Sequence, residues 1–414
     1  MRFGESGMLR LMMVFLFGLC SGHASGDSLK IGALLSLSGN WSNLGRSSEI
    51  IMQMAEGDIN EYLKNHRATY RISVVTADTA LDPEQALSAY DRLVSRGVFA
   101  FVGPQSSSEV ATVTESVQKR GVPIISQGST ASSLASPGDH VYRIVPNDVH
   151  ESEAMTQLLN LRGVKVVVPL WRDDVGNKGL HDSLYKSFTA TGGRLTAGVM
   201  YGTDSNQNFD PVAKEAARQA SEALNGVGGD TSLVALYTAS FDEIVSLMKA
   251  AVEYPVLGKL RWYGGDGVVQ SAALASDPTA SGFAMSVDYL SPNLGLSATS
   301  AAKAKEVSAR YRALTGSDPD AFTLAAYDAT WIAALAVNGK KSILRKTPPD
   351  PLLETADLFF GATGWTSLDA NGDRSTGDYD FWGLRPDTTG AANWVILCHY
   401  DSTTIQMKGA DCSQ

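Results

Sequence analysis

Cysteine and histidine are scarce: three and six in 414 residues. There is no Cys-x-x-Cys and no Cys/His cluster at metal-ligand spacing, so no metal is expected. The sequence also lacks HExxH, GxSxG, a P-loop and GxGxxG. Ser183-Leu184-Tyr185-Lys186 fits Ser-x-x-Lys, but neither Ser-Asp-Asn nor Lys-Thr-Gly follows it. No enzyme and no cofactor are expected. No apolar run beyond residue 19 is long enough to cross a bilayer. Basic residues are outnumbered, 34 Lys and Arg against 44 Asp and Glu, a net charge of −10. An acidic surface argues against nucleic acid and against anionic membranes as partners.

The apolar run that is present lies at the start. Arg2 and Arg10 precede the run at 11–19, and Gly22 and Ala24 stand at minus three and minus one of a cleavage site. Residues 1–24 read as a signal peptide, which makes the mature chain exported, periplasmic or extracellular. Phe17-Gly18-Leu19 is a poor lipobox, so no lipid anchor on Cys20 is expected. Cys398 and Cys412 remain, and an oxidising compartment favours a disulfide between them over two free thiols.

The fold is organised around residues 98–130. Val98–Val102 is a short apolar strand. Ser106 with Glu109 three residues on is a capping box that starts a helix. Val110, Val113 and Val117 recur at helical spacing, Gly121 ends the helix, and 122–125 is a second strand. This βαβ unit carries two turns at the carboxyl ends of its strands, where open α/β sheets bind ligands. The first offers Ser106, Ser107 and Ser108 at a helix N-terminus. The second offers Gln127, Gly128, Ser129 and Thr130. Together they can hold a small anionic group without a charged side chain. The bland alternative is a capped helix with hydroxyls facing water.

Strand and helix alternate on both sides of this unit, which predicts a parallel sheet covered on both faces. Strands are expected at 29–37 and 70–76, then, after a pause at 136–138, at 140–145. A second lobe follows, with strands at 165–170, 194–200, 232–237, 260–263 and 282–289. Helices 301–315 and 321–337 precede short strands at 359–361, 365–368, 379–382 and 393–399. Asp369, Asn371, Asp373, Asp378 and Asp380 space like the start of a calcium loop. The loop's closing glutamate is missing, and Asn371-Gly372 reads as a hairpin turn.

With both lobes laid out, the chain resembles the type I periplasmic solute-binding proteins, most nearly the leucine/isoleucine/valine-binding branch that serves ABC transporters. The marks are IGALLSLSG, FVGPQSSS, VPIISQGST, YRIVPND, AFTLAAYDATWIAAL and FFGATGWTSLDANGDR, from about Leu29 to about Asp401. The resemblance implies an α/β fold of two doubly wound parallel-sheet lobes joined by three crossovers, near 145–148, 288–291 and 344–351. Lobe 1 is then 29–147 with 289–346, and lobe 2 is 148–288 with 347–414. It implies a ligand between the lobes, its carboxylate on Ser107, Gly128 and Thr130 and its ammonium on Asp266. Where the family has two aromatics, this chain has Val175 and Ser240, with Phe241 beside the latter. Trp41, Leu44 and Trp171 are candidates to reshape the pocket, and Arg172 to meet a second anionic group. The function implied is a monomeric receptor that delivers an amino acid, or a related small carboxylate, to a membrane permease. The alternative is a sensing module of the same fold.

Overall fold

The computed structural model describes residues 27–204, 206–296, 299–337, 350–409 and 411–412. The signal peptide, Cys20 and residues 344–349 of the expected third crossover lie outside the described residues.

Lobe 1 is built on a parallel sheet of β1 (Asp27–Leu35), β2 (Tyr70–Asp78), β3 (Val98–Val102), β4 (Ile124–Ser126) and β5 (Val141–Arg143), in the order β2-β1-β3-β4-β5. Helices α1 (Ser42–Asn65), α2 (Pro83–Val94) and α3 (Ser107–Arg120) connect the strands. A parallel sheet buried on both faces favours strands that are apolar throughout, and β3 is of that kind, while β4 adds Ile124 and Ile125 before Ser126.

Lobe 2 runs through α4 (Asp148–Leu161), β6 (Val166–Arg172), α5 (Val175–Ala190), β7 (Arg194–Leu195), β8 (Val199–Tyr201), α6 (Asp210–Gly226), β9 (Val234–Ala239), α7 (Ile244–Ala251), β10 (Arg261–Gly264), α8 (Ala272–Ser276), α9 (Pro278–Ser286) and β11 (Leu290–Gly295). The chain then returns to lobe 1 as α10 (Ala301–Thr315), α11 (Ala321–Ala336) and α12 (Pro351–Leu358), with the small hairpin β12 (Phe360–Gly361) and β13 (Gly364–Trp365). It ends in lobe 2 as β14 (Asp378–Pro386), β15 (Ala392–Asp401) and β16 (Gln406–Lys408). The second sheet is ordered β16-β15-β14-β11-β10-β9-β6-β7, with β8 also on β6. It is parallel from β7 to β11 and antiparallel beyond.

Four expectations need correction. Residues 282–289 are not a strand: the stretch lies mostly in α9, whose start is fixed by Asp277 accepting from the Thr279 and Ala280 amides ahead of Pro278. The strand comes later, as β11. Because β11 pairs with β10 and β14, the second crossover lies beyond Gly295, and 289–295 belong to lobe 2. Nor does everything after 347 join lobe 2. Leu352, Ala356 and Ala362 are buried in the lobe 1 core, and Arg143 of β5 bridges Asp373, so the return to lobe 2 comes at β14. Finally, 194–200 is broken into β7 and β8 around Gly198, whose φ is +68°.

Helix α11 is buried on almost every face, as an all-apolar helix must be, and packs on α1. Its Asp328, fully buried, accepts from the Ala362 and Thr363 amides at 2.7 and 2.8 Å and from the Thr363 hydroxyl at 2.7 Å. A carboxylate in the core is tolerable because the hairpin supplies three donors.

Candidate functional site

The two turns after β3 and β4 are tied together from within. Ser126 donates to the Pro104 carbonyl at 2.6 Å and accepts from the Ser129 amide at 3.0 Å. Ser106 caps α3, its Oγ in contact with Glu109, and the reciprocal Ser106 amide bond to that carboxylate completes the capping box. Ser107 Oγ lies 3.0 Å from Ser129 Oγ and accepts from the Ala131 amide at 3.2 Å. Gly128 sits beneath Trp41 and Leu44: a Cβ there would meet the indole at 3.2 Å and Leu44 at 3.4 Å. The structure thus brings Ser106, Ser107, Gly128, Ser129, Thr130, Trp41 and Leu44 together in lobe 1. Gln105 fixes the Trp41 loop, donating to the Trp41 carbonyl and accepting from the Ser36 amide.

Lobe 2 closes onto this surface. Trp41 stacks on Phe241 with ring centroids 4.6 Å apart. Asn40 donates to Glu243 at 2.7 Å and accepts from the Asp242 amide. The Val175 amide at the start of α5 donates to Ser108 Oγ. A cavity of about 650 Å³ is left at the mouth, lined from lobe 1 by Asn40, Asp82, Ser106 and Ser108 and from lobe 2 by Arg172, Asp174, Val175 and Phe241, among others. Arg172 is held by Asp174 at 2.8 Å and lies over the Phe241 ring, yet its Nη1 has no hydrogen-bond partner. The Ser240 hydroxyl is buried and also without a partner. Trp171 does not reach the cavity; it stacks on His181 of α5, 3.9 Å between centroids.

Asp266 opens the turn after β10 and is buried against Glu151 of α4. Asp148, the first residue of α4, lies close by, 0% exposed. No well-formed hydrogen bond reaches either oxygen of Asp148 or of Glu151, although the Thr130 hydroxyl and the Ser132 amide stand near Asp148 and Asp266 stands near Glu151. Burial pushes the Asp148 carboxyl from 3.8 up to about 7. Burial, reinforced by the neighbouring carboxyls, raises Glu151 and Asp266 as well. The Tyr237 and Tyr379 phenols face the same acids and are pushed up by burial and by that negative field.

Sequence reasoning found one acid of this group and missed two. Asp148 and Glu151 stand in the first turn of a helix, where acids are ordinary partners of the helix dipole, so nothing local distinguishes them. Arg143 was missed too. It pairs with Asp373 at 2.6 and 2.5 Å and donates to the Ala131 carbonyl, which anchors the end of the binding turn. Asp373 therefore holds an arginine, not a calcium ion. Among the described residues no His, Cys, Asp and Glu cluster is arranged to hold a metal. Cys398 and Cys412 stand here as buried thiols in contact with each other.

Comparison with known proteins places this architecture. An uncharacterized protein of Methanocaldococcus jannaschii is 25% identical over 394 residues, 91% of this chain and 90% of its own length. The leucine-binding protein LivK of Thermotoga maritima superposes with a TM-score of 0.70 at 20% identity, over 92% of this chain and 99% of LivK. A solute-binding protein of an R. palustris ABC transporter, solved with benzoate, gives 0.71 at 16% identity, over 93% and 99%. These likenesses show the type I periplasmic-binding fold. The receptor family ligand binding region matches residues 49–387, and the chain belongs to that family.

Proposed function

We propose that the chain is the extracytoplasmic solute-binding protein of an ABC transporter, capturing an amino acid or a related small amine-bearing carboxylate between its lobes. One observation carries the reading: the carboxyls of Asp148, Glu151 and Asp266 lie buried together, and among the described residues none of them is in an ion pair with a cation. Burying acids is unfavourable unless they are neutralised or meet a positive group, and a ligand ammonium is such a group. Ser107, Gly128 and Thr130 take the ligand's carboxylate, and Asp266 with its neighbours takes the ammonium. Trp41, Leu44 and Phe241 wall the pocket, and Ser106, Ser129 and Ser240 border it. Trp171 has only a supporting part, through α5. Each lobe holds part of the ligand, so only the closed state offers both parts, and the permease reads that state. Export would bring Cys398 and Cys412 into an oxidising compartment, where they join. The mass of the exported protein would then fall by two hydrogens, a difference abolished by reductant.

A thermal-shift screen of purified protein against amino acids, amines, aromatic acids and sugars tests the function. A ligand at about a hundredfold excess over its Kd stabilises by about 2.7 kcal/mol. A shift with amine-bearing solutes is expected. A shift confined to sugars would reject the assigned site, and no shift with any solute class would reject the function.

A further inference from the structure

The buried group of Asp148, Glu151 and Asp266 is larger than one ammonium requires. Asp148, Glu151 and Asp266 are 0%, 2% and 8% exposed. Four of their oxygens, two on Asp148 and two on Glu151, are buried without a well-formed hydrogen bond, with only the Thr130 and Ser132 donors near Asp148 and Asp266 near Glu151. Around them stand further negative or neutral groups: the Tyr237 and Tyr379 phenols, the Thr130 turn and, farther out, Asp174. The arginines nearby are engaged elsewhere. Arg143 is spent on Asp373 and the Ala131 carbonyl, and Arg374 on the Ile144, Thr363 and Trp365 carbonyls. At the mouth Asp82, Asp173, Asp174 and Asp204 face a single arginine, Arg172, itself paired with Asp174.

An ammonium has three N–H donors. It cannot satisfy four acceptor oxygens and also serve Asp266. Nor can three neighbouring carboxyls ionise together against one positive charge. Glycine lets backbone of lobe 2 come close to the acids: a Cβ on Gly179 would lie 2.3 Å from Asp148 Oδ2, and at Gly265 one would meet Leu180 at 2.8 Å, the Tyr237 hydroxyl at 3.2 Å and Glu151 Oε1 at 3.5 Å.

We infer that the solute carries two cationic nitrogen groups, as a diamino acid or a diamine does. This rests on the solute-binding function proposed above and narrows its ligand class. One cation lies against Asp266 and Glu151, the other against Asp148 and the acidic mouth. Carboxyls that are protonated in the ligand-free protein lose those protons to solvent when the dication enters.

Titration calorimetry of the purified protein at about pH 7 tests this, with lysine, ornithine and 1,4-diaminobutane as probes and leucine and benzoate as comparators. Running each in two buffers of different ionisation enthalpy reads the protons released. At least one dication is expected to bind about tenfold or more tighter than either comparator, with proton release. Glu151→Gln is expected to weaken that dication by about tenfold or more while leaving the melting temperature of the free protein unchanged or higher. Tighter binding of leucine or benzoate would overturn the inference and leave the solute-binding function standing. Dication binding indifferent to Glu151→Gln, or without proton release, would overturn it as well. Binding of none of these, or of any solute in the wider screen, would remove both.

Discussion

Burial lifts the Asp148 carboxyl from 3.8 to about 7, against only the long-range pull of Arg143 and nearby donors at Thr130 and Ser132. The folded value lies above the unfolded one, so the fold favours the protonated form. Stability from this group is full below about pH 4 and is lost as pH rises through about 7. Glu151 and Asp266 are displaced the same way and add to the slope. His399, raised by its bond to Asp380, adds a loss of the same sign above its ordinary value of 6.5. The melting temperature of the ligand-free protein is expected to fall between about pH 5 and pH 8, and a bound cation to oppose that fall. Asp148→Asn removes one contribution and leaves His399 in place, so it should flatten the slope chiefly below about pH 7. A slope identical to that of the unsubstituted protein would show that Asp148 titrates normally.

Helix α3 was legible before any coordinates, because everything that defines it is local. Ser106, Glu109, the valine spacing and Gly121 specify its start, inner face and end, and the capping box forms as read. Ser106→Ala is expected to lower stability by about 1 kcal/mol in a denaturant melt. A loss indistinguishable from zero would mean that Glu109 satisfies the helix end alone. The Arg143–Asp373 pair belongs to a different class. Its partners are 230 residues apart, so no window of sequence shows them, and the Asn371-Gly372 turn hides the acid in a plausible hairpin. Asp373→Ala leaves a buried arginine uncompensated and should cost about 3–5 kcal/mol. It should also loosen the turn at Ala131, which a loss of ligand affinity beyond the loss of stability would register. The same distinction explains the misplaced crossovers. Strand β11, LSPNLG, carries no sign of its lobe, and only its pairing with β10 and with β14, the latter six residues deep and antiparallel, assigns it to the second. Helix α9 was misread for the opposite reason, since the local signal, Asp277 before Pro278, was present and an apolar run outweighed it. The site divides along the same line: Ser107, Gly128 and Asp266 sit in motifs, whereas Asp148 and Glu151 acquire their meaning only when α4 is packed against the turn after β10.

At the scale of the molecule, function depends on how two lobes meet. The described contacts across the cleft include the Trp41–Phe241 stack, Asn40 to Glu243 and the Asp242 amide, and the Val175 amide to Ser108. Each exists only when the lobes are closed, so each contributes to the closed state and nothing to the open one. An aromatic pair contributes about 0.5–1.5 kcal/mol beyond its buried area, enough to change an open–closed ratio by about two- to tenfold. The acids oppose closure, because closing removes water from three carboxyls at once. The two tendencies leave a lobe pair that closes firmly only when a ligand answers the charge. Trp41→Ala should therefore shift the ligand-free protein toward the open form, seen as a larger radius of gyration in small-angle scattering. Saturating ligand should restore the smaller radius, at a Kd raised about tenfold. Asp148→Asn should act in the reverse sense, giving a smaller or equal radius without ligand and weaker binding with it. If Trp41→Ala changed affinity but not the radius, Trp41 would be a contact for the ligand and not part of the closure. If the two variants moved the radius in the same direction, the opposition between stacking and buried charge would be wrong.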